Sequence, residues 1–257
     1  VVLITDTTEI HELQEQLGRR HRLAAMGEMA ARLAHQIRTP LASTTLYLSQ
    51  LAHDDLTAER RQHIVGRLAE RLAHTEGLVS SMLSFVRGRI PERTPLTLRE
   101  VLGTVEATVR PSLRDGVTLS LVPVDDTLRL LGAHDELAGA LGNLIQNAAE
   151  LDQERVHIEL WAGAISRDRM QIRVRDSGPG IGEDALPRIF DPFFTTRARG
   201  TGLGLAVVAM TIEQHEGELR ACNHAAGGAE FTITLPLLDE DPAPAERAGK
   251  IIERKSP

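Results

Sequence analysis

The chain has 257 residues, a formal net charge of -7, 42% hydrophobic and 25% charged residues. That mixture excludes a wholly disordered chain and argues against nucleic acid as the main partner. No stretch approaches the ~20 consecutive apolar residues of a membrane-spanning helix, and Val1-Val2-Leu3-Ile4 lacks the basic and apolar regions of a signal peptide. The single cysteine, Cys222, excludes an internal disulfide and a thiolate zinc site. The only lysines are Lys250 and Lys255, so residues 1–249 supply neither a P-loop lysine nor the strand lysine of a eukaryotic-type protein kinase. Any handling of ATP must follow another scheme.

In chain order, residues 1–8 read as an apolar strand-like stub, and residues 9–51 are predicted to form one long helix. Leu23, Met26, Ala30, Leu33, Ile37, Thr44, Leu48 and Leu51 recur at steps of three and four, with one double step after Ile37; Ile10, Leu13 and Leu17 follow the same rule upstream. The gap from Leu17 to Leu23 breaks phase, as a register change in a coiled coil does. After a polar turn at 52–57, a second helix is expected over 58–88, with Val65, Leu68, Leu72, Thr75, Val79, Met82 and Val86 at heptad spacing. Two helices joined by a short turn make an antiparallel hairpin, and one hairpin cannot hide two such stripes. A four-helix bundle from two chains can, so a homodimer through residues 23–86 is expected; the competing arrangement is a hairpin packed on its own downstream domain.

Pro91 and Pro95 bracket a linker, 91–95. Beyond it strands are expected at 117–122, 127–131, 155–161, 169–175, 217–221 and 229–235, and helices at 99–110, 134–150 and 203–215. The fold class is therefore α+β in two domains, a helical hairpin followed by an α/β layer over 96–238 with a mixed sheet and helices on one face. Residues 239–257, rich in Pro, Ala and charge, read as a disordered tail.

Five segments carry candidate chemistry. In Leu33-Ala34-His35-Gln36-Ile37-Arg38-Thr39-Pro40, Leu33 and Ile37 point into the bundle and His35 points about 200° away from each, toward solvent. Pro40 removes a helical donor and is expected to bend the helix. A neutral exposed imidazole is a good nucleophile near pH 7, although most of the chain's ten histidines need no function. Asn143 and Asn147 stack at i and i+4, where two carboxamide oxygens can hold a Mg²⁺ that bridges phosphates, or simply form a solvated polar face. In Asp176-Ser177-Gly178-Pro179-Gly180, strand parity sends the Asp176 carboxylate to the apolar side, where an adenine amine would satisfy it; an Asx turn is the alternative. Phe190-Asp-Pro-Phe193-Phe194-Thr-Thr-Arg197 puts three of five Phe in a polar stretch, as a hinged lid or a core plug would. Arg197 and Arg199 there are the cations nearest any phosphate. Gly200-Thr201-Gly202-Leu203-Gly204, directly before a helix, suits a phosphate cradle or an ordinary loop–helix junction.

With these segments in this order, the sequence resembles the bacterial sensor histidine kinases over roughly residues 9–238. His35–Pro40 is similar to their H-box, Asn143–Asn147 to the N-box, Asp176–Gly180 to the G1 box, Phe190–Phe194 to the F-box and Gly200–Gly204 to the G2 box. The Phe-Phe-Thr-Thr-Arg lid resembles the nitrogen-regulator subclass, and Met26 through Pro40 resembles flagellar sensor kinases of the FleS/FlrB kind. Residues 1–8 look like the end of a PAS sensor domain, a resemblance that implies a chain expected to be the cytoplasmic catalytic part of a longer sensor.

The resemblance implies a Bergerat (GHKL) ATP-binding fold over 96–238 and a dimerisation and phosphotransfer domain over 9–90. It implies ATP and Mg²⁺ as cofactors, held by Asn143, Asn147, Asp176, Gly178, Gly180, Arg197, Gly200, Thr201, Gly202, Leu203 and Gly204, with Asn143 and Asn147 on the metal side. His35, Gln36, Arg38 and Thr39 are the implied catalytic group. His35 would accept the γ-phosphoryl group and pass it to an aspartate of a response regulator receiver domain, such as that of an NtrC-like activator. Gln36 departs from the family, which usually has Glu or Asp there; a carboxamide can orient the imidazole but cannot take up its proton. Thr39 matches the position that places water for dephosphorylating the regulator. Besides a working kinase, a kinase-weakened phosphatase or scaffold and a non-kinase ATP-binding switch of the same fold are compatible with these residues.

Overall fold

The computed structural model describes residues 37–52, 56–87, 92–122, 125, 127–197 and 200–238, with the single positions 27 and 34. His35, Gln36, Arg199, the stub at 1–8, the upstream part of the first helix and the segment 239–257 lie outside the described residues. Helix α1 covers 37–51 and α2 covers Ala58–Arg87. After Pro40 the Ser43, Thr44 and Thr45 hydroxyls donate back to the carbonyls of Thr39, Pro40 and Leu41 at 3.0–3.1 Å, pairing these side chains within the helix.

The row buried within one chain is not the whole predicted stripe. On α2, Ile64 and Leu68 are buried and α2 runs against the helix Gly204–Gln214 of the second domain, whereas Val65, Leu72, Val79 and Leu83 are exposed, together with Leu41, Leu46 and Leu48 on α1. Within one chain the hairpin therefore follows the competing arrangement along one edge only. One edge packs on its own downstream domain, and a long apolar face stays uncovered.

The second domain begins earlier than the expected linker allows. Thr94 and Pro95, assigned above to the linker, open strand β1 (Thr94–Thr97), which pairs antiparallel with β3 (Arg129–Gly132) in a two-stranded sheet. A proline in so short an edge strand costs no central ladder bond. Thr97 then caps α3 (Leu98–Val109): its Oγ1 accepts from Glu100 N–H, and Glu100 Oε2 accepts from Thr97 N–H at 2.8 Å. That reciprocal box starts the helix one residue before the expected position.

A five-stranded sheet follows in the order β2 (Val117–Leu121), β4 (Val156–Ala164), β5 (Arg169–Asp176), β7 (Ala229–Pro236), β6 (Glu218–Asn223). β2 pairs parallel with β4 and the other neighbours are antiparallel, so the sheet is mixed, as expected. Period-two alternation turns Ile158, Leu160, Ile172, Val174 and Ile233 onto one face. Against that face lie α4 (His134–Ala149), with Leu141, Leu144 and Ile145 at most 2% exposed, and α5 (Gly204–Gln214), with Val208 and Ile212. Each fully buried Leu or Ile stabilises the fold by about 1.5–3 kcal/mol, which fixes the rotation of α4 and therefore the direction of its polar face.

His215, at the end of α5, joins these helices. It is 1% exposed, its Nδ1 donates to the Thr211 carbonyl at 2.6 Å and its Nε2 accepts from Ala133 N–H at 3.0 Å, just ahead of α4. Burial holds its pKa below 6.5, against a smaller opposite effect of the Thr211 carbonyl. Protonation would set an N–H against the Ala133 N–H. Because the folded pKa is the lower one, this group's contribution to stability is complete above the unfolded value and is lost as pH falls through the folded pKa. His134 carries the opposite dependence, its pKa being raised mainly by Asp135. We therefore expect His215→Gln to flatten the fall in stability as pH drops below about 6.5, measured by urea denaturation. An equally steep fall in the variant would remove His215 as its source.

Candidate functional site

The site is built at the seam of α4 and α5. The apolar stripe of α4 faces the sheet, so Asn143 and Asn147, one turn apart, lie half-buried beside the start of α5. A Cβ added at Gly204, the first residue of α5, would lie 3.8 Å from Asn143 Oδ1 and 4.0 Å from Asn147 Nδ2. The two asparagines, distant in sequence from the glycine-rich turn, thus lie directly beside its last glycine. The free N–H groups of the first turn of α5 add a positive helix end.

The turn is shaped for close approach. Gly202 has φ +68, and a Cβ there would collide with the Phe193 and Phe194 backbones. Gly202 in turn accepts from Phe193 N–H at 2.8 Å. Phe193 itself holds φ +67 while 5% exposed, a left-handed conformation that costs a non-glycine residue about 1–2 kcal/mol. Leu203 is fully buried and its N–H donates to Thr201 Oγ1 at 3.1 Å. Gly200 packs against the Thr195 side chain. The Phe segment packs inward, as the core-plug alternative expects: Phe193 is buried, Phe190 meets Phe231 edge-on at 6.5 Å, and Phe194 lies half-buried under the Arg188 guanidinium at 4.6 Å.

Asp176 ends β5 on the buried face at 7% exposure, as strand parity predicts. Its Oδ1 accepts from Gly178 N–H at 2.7 Å and from Ala229 N–H at 3.2 Å. The Asx turn is therefore real, but it uses one oxygen: Oδ2 accepts no hydrogen bond from the described residues. Gly178 leaves no room for a Cβ beside Leu151, just beyond α4, which ties this loop to the asparagine helix. Gly180 has φ +83.

Three contributors carried no recognisable motif. Asn223, at the end of β6, accepts from Ile181 N–H through Oδ1 and donates to the Ile181 carbonyl through Nδ2, both at 2.7 Å, pinning the loop after Gly180. Gly228, at φ +86, sits so close to the Asp176 carbonyl that no side chain fits. Its Gly-Gly turn before a strand was the one readable signal. Glu150, three residues past Asn147, receives Arg197 Nη1 on Oε2 at 2.8 Å, while Arg197 Nη2 donates to the Asn147 carbonyl. Arg197, expected beside a phosphate, is thus held by the end of α4. Arg38 and Thr39 are exposed on α1.

The donor set fits a magnesium nucleotide. There is a buried carboxylate with an unused acceptor, a flush glycine loop beside it, and a bare helix start facing two carboxamides. Among the described residues no group of three or more His, Cys, Asp or Glu could hold a metal, so a cation here would rest on Asn143, Asn147 and the ligand's own oxygens.

Residues 132–239 match the family described as histidine kinase-, DNA gyrase B- and HSP90-like ATPase, and residues 25–89 match the His Kinase A (phospho-acceptor) domain. The chain belongs to the two-component sensor histidine kinases, of which it carries the catalytic core. It is similar to the sensor protein kinase FleS of Pseudomonas aeruginosa, at 36% identity over 95% of this chain and 60% of that protein, so it spans part of that relative's length. Among solved structures it is similar to histidine kinase ThkA in complex with response regulator protein TrrA, with a TM-score of 0.71, 28% identity and coverage of 91% of this chain and 68% of that one. Full-length ShkA in complex with AMPPNP matches with a TM-score of 0.58 at 26% identity, over 83% of this chain and 46% of that one. No described helix is long and apolar enough to cross a membrane.

Proposed function

We propose that this chain binds Mg-ATP at the α4–α5 seam, transfers the γ-phosphoryl group to His35, and passes it on to an aspartate of a response regulator receiver domain. The observation that carries the reading is the approach of Asn143 and Asn147 to Gly204 at the α4–α5 seam, with the spare Oδ2 of Asp176 beside a glycine-lined loop. ShkA holds an ATP analogue and ThkA a response regulator, which supports both halves by similarity.

In this scheme Asp176 Oδ2 accepts from the adenine amine and Gly178 and Gly180 let the flat base approach the backbone. Asn143 and Asn147 hold the metal side, and the N-terminus of α5 with Gly200–Gly204 takes the phosphate chain. Bound Mg²⁺ neutralises charge on the phosphate oxygens. The remaining work is positioning, since in-line phosphoryl transfer asks little covalent help of a protein. His35 attacks as the neutral imidazole, Gln36 accepts from its ring N–H, and water takes the proton that Gln36 cannot. Arg38 is the adjacent cation, and Thr39 orients a water for dephosphorylating the regulator.

The exposed Leu41, Leu48, Val65, Leu72 and Val79 form the face that a second copy covers, giving a homodimer through residues 23–86. ATP and receiver domains share the cytoplasm, where we place the chain; the lid resemblance points to an NtrC-like activator as the regulator.

Incubation with γ-labelled Mg-ATP tests the activity. The expected product is an acid-labile, base-stable label on the protein that moves to an added receiver domain; absence of label would overturn the reading. Gln36 favours one competing reading, a weakened kinase acting as phosphatase or scaffold. We expect Gln36→Glu to change the initial labelling rate by less than about tenfold, well below the roughly 10²–10⁴-fold that a positioned general base contributes. A gain of a hundredfold or more would make the parent a silenced kinase.

A further inference from the structure

We propose that Glu150 sets the nucleotide affinity of this site by holding Arg197 away from the phosphates; the inference rests on the nucleotide reading above. Arg197 is anchored in the lid segment: its N–H donates to Thr195 Oγ1 at 3.1 Å and its carbonyl accepts from Gly200 N–H at 3.2 Å. Its guanidinium reaches across to α4, one fork to Glu150 Oε2 and the other to the Asn147 carbonyl. Glu150 is prepared for this role, because Gln146 Nε2 donates to its Oε1 at 3.1 Å and leaves Oε2 to the arginine. The cation is therefore parked at the backbone of the residue whose carboxamide lies beside Gly204.

A triphosphate entering there offers oxygens that compete with a carboxylate for one planar, bidentate donor. Both side chains are partly exposed, at 36% for Arg197 and 52% for Glu150, so the pair is weak enough to exchange. The arrangement couples lid and affinity. Without nucleotide, Glu150 latches the lid to α4, and with nucleotide the same arginine changes anion. Glu150 touches no substrate in this scheme and acts as a positioning residue through Arg197.

The consequence runs opposite to ordinary site mutagenesis: removing a charge at the site strengthens binding. In calorimetric titrations of the full chain, Glu150→Gln should bind Mg-ATP about three- to fivefold tighter than the parent, the upper part of what an exposed ion pair contributes, and bind adenosine, which has no phosphate, within twofold of it. In an Arg197→Gln background the Glu150→Gln gain should shrink to less than twofold. In the nucleotide-free protein, hydrogen exchange over residues 194–202 should speed up in Glu150→Gln. Unchanged or weaker ATP binding by Glu150→Gln, an equal gain for adenosine, or a full gain without Arg197 would each overturn the assignment. A parent that binds adenosine but not ATP, or neither, would instead overturn the nucleotide site itself.

Discussion

Asp176→Asn is expected to lower Mg-ATP affinity about 5- to 150-fold, a loss of roughly 1–3 kcal/mol. Asparagine keeps one oxygen, enough to accept from Gly178 and Ala229 N–H as Oδ1 does now. The amide nitrogen then takes the place of Oδ2, at the buried end of β5, and turns a donor toward the adenine amine. Two donors face each other where an acceptor and a donor met. Because the backbone contacts survive, the thermal midpoint without nucleotide should move far less than the affinity. The same reversal should favour a base with an acceptor at that position, so the preference for ATP over GTP should narrow. Calorimetry with both nucleotides checks this; ATP affinity equal to that of the parent refutes the adenine role.

Much of this domain was legible because its periodicities are clean. The alternation in β5 located Asp176 on the buried face, and the stripe of α4 left Asn143 and Asn147 on another side, both by geometry that a regular element enforces. The elements that escaped are those with little periodicity to read. β1 has four residues, one of them a proline, and exists because β3 pairs with it. The hairpin stripe was read as one surface, yet a helix that meets two neighbours buries two rows. Ile64, outside the predicted heptad, is 1% exposed, while Val65 inside it is 51% exposed.

Within the site, legibility followed sequence distance. The glycine turn and the asparagine pair announced themselves as local patterns, but nothing local says that Gly204 abuts Asn143, or that Asn223 clamps Ile181 through two hydrogen bonds. Those are products of packing α5 against α4 and of the β6–β7 register. Arg197 illustrates the limit in the other direction. Charge and position made it the nearest cation to a phosphate, and the fold supplied a carboxylate, Glu150, that competes for it.

The central claim is that one imidazole receives the phosphoryl group this site presents. His35→Ala removes the proposed nucleophile and changes none of the residues proposed to hold the nucleotide, so Mg-ATP should bind with unchanged affinity while transfer stops. No other side chain of the Leu33–Pro40 segment can replace it: Gln36, Arg38 and Thr39 offer no nitrogen nucleophile near neutral pH. The decisive measurement is the acid-labile, base-stable label from γ-labelled Mg-ATP in parent and His35→Ala chains side by side, with nucleotide binding verified in both. The account predicts strong label in the parent and background label in the variant; undiminished label in the variant would contradict it.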